Sequence, residues 1–140
     1  MYTLEEIAAL RQKCETLRLE GREVLEQYSD VELQKICNGI GPEAAGIFLR
    51  RFLNKLHPSL EVAALIHDVD FAESDGSEEK FTAANRRFVE NGLKAAAVYP
   101  WYDLRRYIVR FHARRLGAFC QHFGTFCWRL GALREKHTEA

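Results

Sequence analysis

Apolar residues return at helical spacing along almost the whole of a 140-residue chain that contains only three prolines. The strict alternation of a half-buried strand is absent, so the pattern predicts an all-α fold. Five helices and a final helical segment can be read. Thr3 with Glu6 forms a capping box ahead of Leu4, Ile7, Leu10, Cys14 and Leu17, and Ser29 with Glu32 forms another ahead of a short helix ending near Cys37. Gly39-Ile40-Gly41-Pro42 stops that helix. A third helix is expected over residues 43–56, a fourth from Pro58 to about Glu73, and a fifth from Glu78 to Val98 with Phe81, Phe88 and Gly92 on its inner stripe. Beyond the break at Tyr99-Pro100, helical patterning continues almost to Lys136.

The length fits a single domain over residues 1–140, and a content of 47% hydrophobic and 29% charged residues suits a buried core rather than a disordered chain. Basic and acidic residues number 20 each, so the formal charge is zero. Neutrality argues against a nucleic-acid partner, yet it conceals a division. Residues 1–100 hold 12 basic and 17 acidic residues, a net −5, while residues 101–140 hold 8 and 3, a net +5. Cys14, Cys37, Cys120 and Cys127 form no C-x-x-C pair and read as reduced, mostly buried thiols. The start, Met1-Tyr2-Thr3-Leu4-Glu5-Glu6, lacks the basic and apolar regions of an export signal; the expected location is the cytoplasm, or outside the cell by a non-classical route. The longest mostly apolar stretch, Leu116 to Trp128, falls short of the ~20 residues that span a bilayer.

Chemistry concentrates in three places. His67 and Asp68 adjoin inside the apolar run Ala63-Ala64-Leu65-Ile66-His67-Asp68-Val69-Asp70-Phe71. Successive helical residues point about 100° apart, so the two cannot share one direction but can flank one small cavity and divide two tasks: proton transfer suits the histidine, a hard cation suits the aspartate. Asn85 falls between Phe81 and Phe88 on the inner stripe of the next helix. With the two helices antiparallel across Ser74–Ser77, its oxygen would accept the Nδ1 proton of His67 and leave Nε2 as the base; the plainer alternative is an asparagine bonded to backbone or facing solvent. Third, Cys37-Asn38-Gly39-Ile40-Gly41-Pro42 lets backbone carbonyls converge on a cation, or is an ordinary turn.

Together the glycine loop, the His67-Asp68 helix and the following helix Ala83-Ala84-Asn85-Arg86-Arg87-Phe88 resemble, over roughly residues 30–98, the secreted phospholipase A2 superfamily, and within it the disulfide-free branch found in parvovirus capsid proteins. That family carries Y-x-G-x-G, then H-D-x-x-Y, then a helix with a partner for the histidine. The resemblance implies Ca²⁺ held by the carbonyls of Cys37, Gly39 and Gly41 and by the Asp68 carboxylate. It further implies that His67 deprotonates a water attacking the sn-2 ester of a phospholipid, that the Gly39 amide and Ca²⁺ stabilise the oxyanion, and that Asn85 orients His67. Cys37 and Phe71 stand where the family has tyrosines, Asn85 stands where it usually has aspartate, and the interval from loop to histidine is longer.

Two other readings share these residues. One is a non-catalytic lipid-binding or structural module of the same fold. The other is an all-α HD-type metal phosphohydrolase using His57, His67, Asp68 and Asp103, which leaves the glycine loop unexplained. Asp70, Glu73, Asp75, Glu78 and Glu79 read as a solvated acidic turn. The basic aromatic segment, residues 101–136, carries Arg105, Arg106, Arg110, Arg114 and Arg115, an apolar stripe of Phe119, Phe123, Phe126 and Leu130, and Gly117, Gly124 and Gly131 at intervals of seven. The glycines mark either close approach of another helix or breaks, with self-association over residues 117–131 one outcome. The stripe is either core packing or a surface for anionic phospholipid membranes.

Overall fold

The computed structural model describes residues 2–39, 58–125 and 128–129. Every regular element among them is helical: α1 (Leu4–Thr16), a 3₁₀ segment (Arg22–Gln27), α2 (Asp30–Gly39), α3 (Pro58–Ala72), α4 (Glu78–Ala96) and α5 (Leu104–Phe123). The chain is therefore all-α, as the spacing predicts. The helix expected over residues 43–56 and the residues Gly41, His57, Phe126, Leu130 and Gly131 lie outside the described residues.

Both predicted capping boxes form. Thr3 accepts from the Glu6 N–H while Glu6 accepts from the Thr3 N–H, and Ser29 and Glu32 do the same at the start of α2. Ser77 and Asp103 cap α4 and α5. Each cap satisfies a backbone donor that a helix start leaves unpaired and stabilises it by about 1 kcal/mol.

The central element is α3, which is apolar on nearly all sides because it is covered on two. One side shares a core with α1, the 3₁₀ segment and α2, in which Val62, Leu65, Ile66 and Val69 meet Ile7, Leu10, Cys14, Leu25, Leu33 and Cys37. On the other, Leu60 packs with Ala96, Val109 and Ala113 of α4 and α5. Contacts of His67 with Asn85 and Phe71 with Phe81 set α3 and α4 antiparallel. In the next pair, Ala113 sits by Gly92, Gly117 by Val89 and Gln121 by Asn85, so α5 also runs antiparallel to α4.

Small residues let α4 and α5 approach closely. A Cβ on Gly92 would lie 2.7 Å from that of Ala113, and one on Gly117 would run into Val89. The expected helix towards Lys136 is interrupted at Gly124, which caps α5 with its N–H on the Cys120 carbonyl, although Thr125, Trp128 and Arg129 beyond it are again helical. Close approach and interruption are thus both realised, at different glycines. The core-packing reading of the aromatic stripe fails for its described members, because Phe119 and Phe123 are exposed. The buried line of α5 is Val109-Ala113-Gly117, and Phe119, two residues after Gly117, points about 200° away from it.

Candidate functional site

His67 lies on the side of α3 that faces α4, where its Nε2 is 2.9 Å from Oδ1 of the buried Asn85. The predicted pairing forms, but through the opposite ring nitrogen. Asn85 Nδ2 donates to Gln121 Oε1 at 2.9 Å, which turns the amide oxygen towards His67. An amide oxygen only accepts, so Nε2 is the donor in this contact. Nε2, the nitrogen expected to be left for proton transfer, is thus the one that meets Asn85. The cause is the ring's rotation about its own side-chain bonds, which helix register does not fix.

Gln121 carries the chain one step further, its Nε2 donating to Thr82 Oγ1 at 3.3 Å. Nothing in the sequence motifs singles out Gln121. A signal was present, since it falls four residues after Gly117 and three before Gly124, on the line of α5 that meets α4.

Aromatic rings wall the imidazole. Phe71, one helical turn on, has its ring centroid 4.4 Å away, and Phe88 of α4 lies at 5.2 Å. Phe71 packs in turn with Phe81 and Trp128, the last edge-on at 5.1 Å. The Trp128 indole donates to the Ser77 carbonyl at 2.9 Å, and the buried Ser74 hydroxyl donates to the Trp128 carbonyl at 2.7 Å. This clasp fixes the turn between α3 and α4, and with it the His67–Asn85 register.

The residues expected around a cation are distributed as follows. Asp68 is half-buried on α3 beside His67. Cys37 and Gly39, expected in a loop, instead form the last turn of α2, with Cys37 buried against the core it shares with α3. Gly39, whose amide is expected at the oxyanion, is the last residue of α2. Gly41 lies outside the described residues.

No three His, Cys, Asp or Glu side chains gather among the described residues. Of the HD-type set, Asp103 is the α5 cap and binds Arg105 at 2.6 Å. Eighteen residues of helix, about 27 Å, separate it from Gln121 at the histidine site, so that set does not assemble around His67.

The acidic turn is less solvated than expected. Asp70 pairs with Arg87 at 2.7 Å, and burial pushes its carboxyl up to about 6 although Arg87 pulls the other way. Glu73 accepts from Tyr28 at 2.6 Å, leaving Asp75, Glu78 and Glu79 exposed. Asn91, fully buried, clamps both backbone groups of Glu20, an anchor that sequence spacing did not single out although Asn91 shares the inner stripe of α4. Cys14, Cys37 and Cys120 are reduced, and burial pushes Cys14 up to about 12, which leaves it unreactive. Compared with known proteins, the chain matches no family model, no curated protein and no solved structure.

Proposed function

We propose that the chain is a calcium-dependent hydrolase of the phospholipid sn-2 ester, with a phospholipase A2-like site. The observation that carries this reading is the His67–Asn85 hydrogen bond between antiparallel helices, with Asp68 next in sequence. With Nε2–H donated to Asn85, Nδ1 is the base in this reading: it takes a proton from water, and the resulting hydroxide attacks the ester carbonyl. The proton then passes from Nδ1 to the departing alkoxide of the lysophospholipid, which restores the neutral imidazole. Phe71 and Phe88 restrain the ring through this exchange.

Asp68, the carbonyls of Cys37 and Gly39 at the end of α2, and that of Gly41 would supply the hard oxygen donors that Ca²⁺ prefers. Bound there, Ca²⁺ would polarise the ester carbonyl and stabilise the oxyanion. The outer face of α5, with exposed aromatics beside arginines, suits a phospholipid surface as partner. No helix among the described residues is long and apolar enough to cross a membrane.

Fatty-acid release from mixed phospholipid vesicles is expected with Ca²⁺, and is expected to be abolished by EGTA or by His67→Gln. Release indifferent to both would overturn the mechanism. Calcium binding without release from any lipid would make the chain a non-catalytic lipid-binding module of the same fold.

A further inference from the structure

An asparagine facing a histidine has an ambiguity that an aspartate lacks. Its two ends are nearly the same shape, but one accepts and the other donates. With Oδ1 towards His67 the ring must carry its proton on Nε2; with Nδ2 towards His67 the ring must offer its lone pair there and carry the proton on Nδ1. Rotating the Asn85 amide by half a turn therefore exchanges the two histidine tautomers. Whatever fixes the amide thus biases which nitrogen carries the proton.

Among the described residues, the second end of Asn85 meets Gln121, whose Oε1 accepts from Nδ2 at 2.9 Å. We infer that Gln121 is a positioning residue that selects the tautomer of His67 by fixing the orientation of the Asn85 amide. The inference rests on the proposed catalytic role of His67 for its significance, though not for its test. Gln121 stands at the exposed edge of α5, on the register that also sets Gly117 against Val89. Thr82 receives its other end at 3.3 Å, and because a hydroxyl both donates and accepts, Thr82 tolerates either orientation. The polarity of residue 121 then governs the row.

Substitutions that restrict residue 121 to one polarity make opposite predictions. Glu only accepts, so Gln121→Glu keeps Nδ2 of Asn85 turned towards it and preserves the Nε2–H tautomer. Lys only donates, so Gln121→Lys draws Oδ1 of Asn85 away from His67 and shifts the proton to Nδ1. The full chain labelled with ¹⁵N-histidine, above the titration of its five histidines, reports each tautomer directly in long-range ¹H–¹⁵N spectra, and loss of one signal set in His67→Gln assigns it. We expect the Nε2–H form in the wild type and in Gln121→Glu, and a majority of the Nδ1–H form in Gln121→Lys. Unchanged tautomers in both variants, with far-UV spectra confirming intact helices, would overturn the inference.

No lipid or calcium enters that measurement. If the chain hydrolyses phospholipid, Gln121→Lys also lowers kcat by roughly 10²-fold while Gln121→Glu retains it, on the scale expected for loss of a general base. A tautomer that switches while hydrolysis is unaffected would overturn the catalytic role of His67 and leave the positioning role standing.

Discussion

A neutral amide orients an imidazole without stabilising its charge. When His67 takes up a proton, Asn85 offers a dipole where a carboxylate would offer a full negative charge at 2.9 Å. Replacing Asn85 by Asp should therefore raise the His67 pKa by one unit or more, an opposite charge at hydrogen-bond distance being worth 1–3 units. The base works only when unprotonated, so the acid limb of the activity profile should move to higher pH by the same amount. Above that limb, turnover should rise about tenfold, since each unit represents about 1.4 kcal/mol of imidazolium stabilisation. An NMR titration of the ring beside initial rates on vesicles checks both; a pKa that stays in place would refute the contact as an electrostatic lever. At this scale the sequence was partly legible. His67 and Asn85 meet because a short turn joins two helices with apolar inner stripes, and those features are local. Which ring nitrogen meets the amide depends on side-chain torsions that no spacing encodes, and Gln121, 36 residues beyond Asn85, belongs to no motif.

Between elements, the decisive contact is the seam of α4 and α5. Gly92 against Ala113 and Gly117 against Val89 bring the two backbones closer than larger side chains allow, and this proximity delivers Gln121 to Asn85. Gly117→Val should overpack the seam and destabilise the fold by about 1–3 kcal/mol, lowering Tm by about 3–10 °C. Ala118→Leu, one residue on and facing solvent, should change stability by less than about 0.5 kcal/mol. Thermal unfolding followed by circular dichroism separates the two, and equal losses would mean that the seam is no closer than the rest of the surface. The seven-residue glycine interval announced a special line on α5 without saying what it met. Tertiary packing resolved it: Gly117 is a contact, and Gly124 an interruption that leads to the Trp128 clasp on Ser74 and Ser77. Helix α2 reaches Gly39, the first residue of the expected stop and two past Cys37, because two glycines and a proline signal an end without stating the residue.

Across the whole molecule, the basic segment after residue 100 presents a surface of its own. Trp101, Tyr102, Leu104, Tyr107, Phe111, Phe119 and Phe123 are exposed along α5 and the turn before it, interleaved with Arg105, Arg110, Arg114 and Arg115. Asp103 is the single acidic residue described in this stretch and is already matched by Arg105. Two copies of such a face would repel one another, and a neutral bilayer would use only its aromatics; an anionic bilayer uses both, with each arginine near the surface worth about 1 kcal/mol. The two tryptophans differ enough to report the encounter, Trp101 being 74% exposed and Trp128 only 3%. Vesicles containing phosphatidylserine should shift the emission of Trp101 to shorter wavelength, and vesicles of phosphatidylcholine alone should leave it almost unchanged. Trp101→Phe should remove the shift, identifying its source. Reversing Arg110, Arg114 and Arg115 to Glu should weaken binding at least 10²-fold, and raising salt should weaken the wild type in the same direction, because screening acts on the arginines while leaving the aromatic contribution in place. EGTA should not prevent binding, since the face is separate from the oxygen donors proposed for calcium. Equal affinity for neutral and anionic vesicles would show that the arginines merely solvate the helix; abolition by EGTA would place the lipid contact at the calcium site instead of on α5.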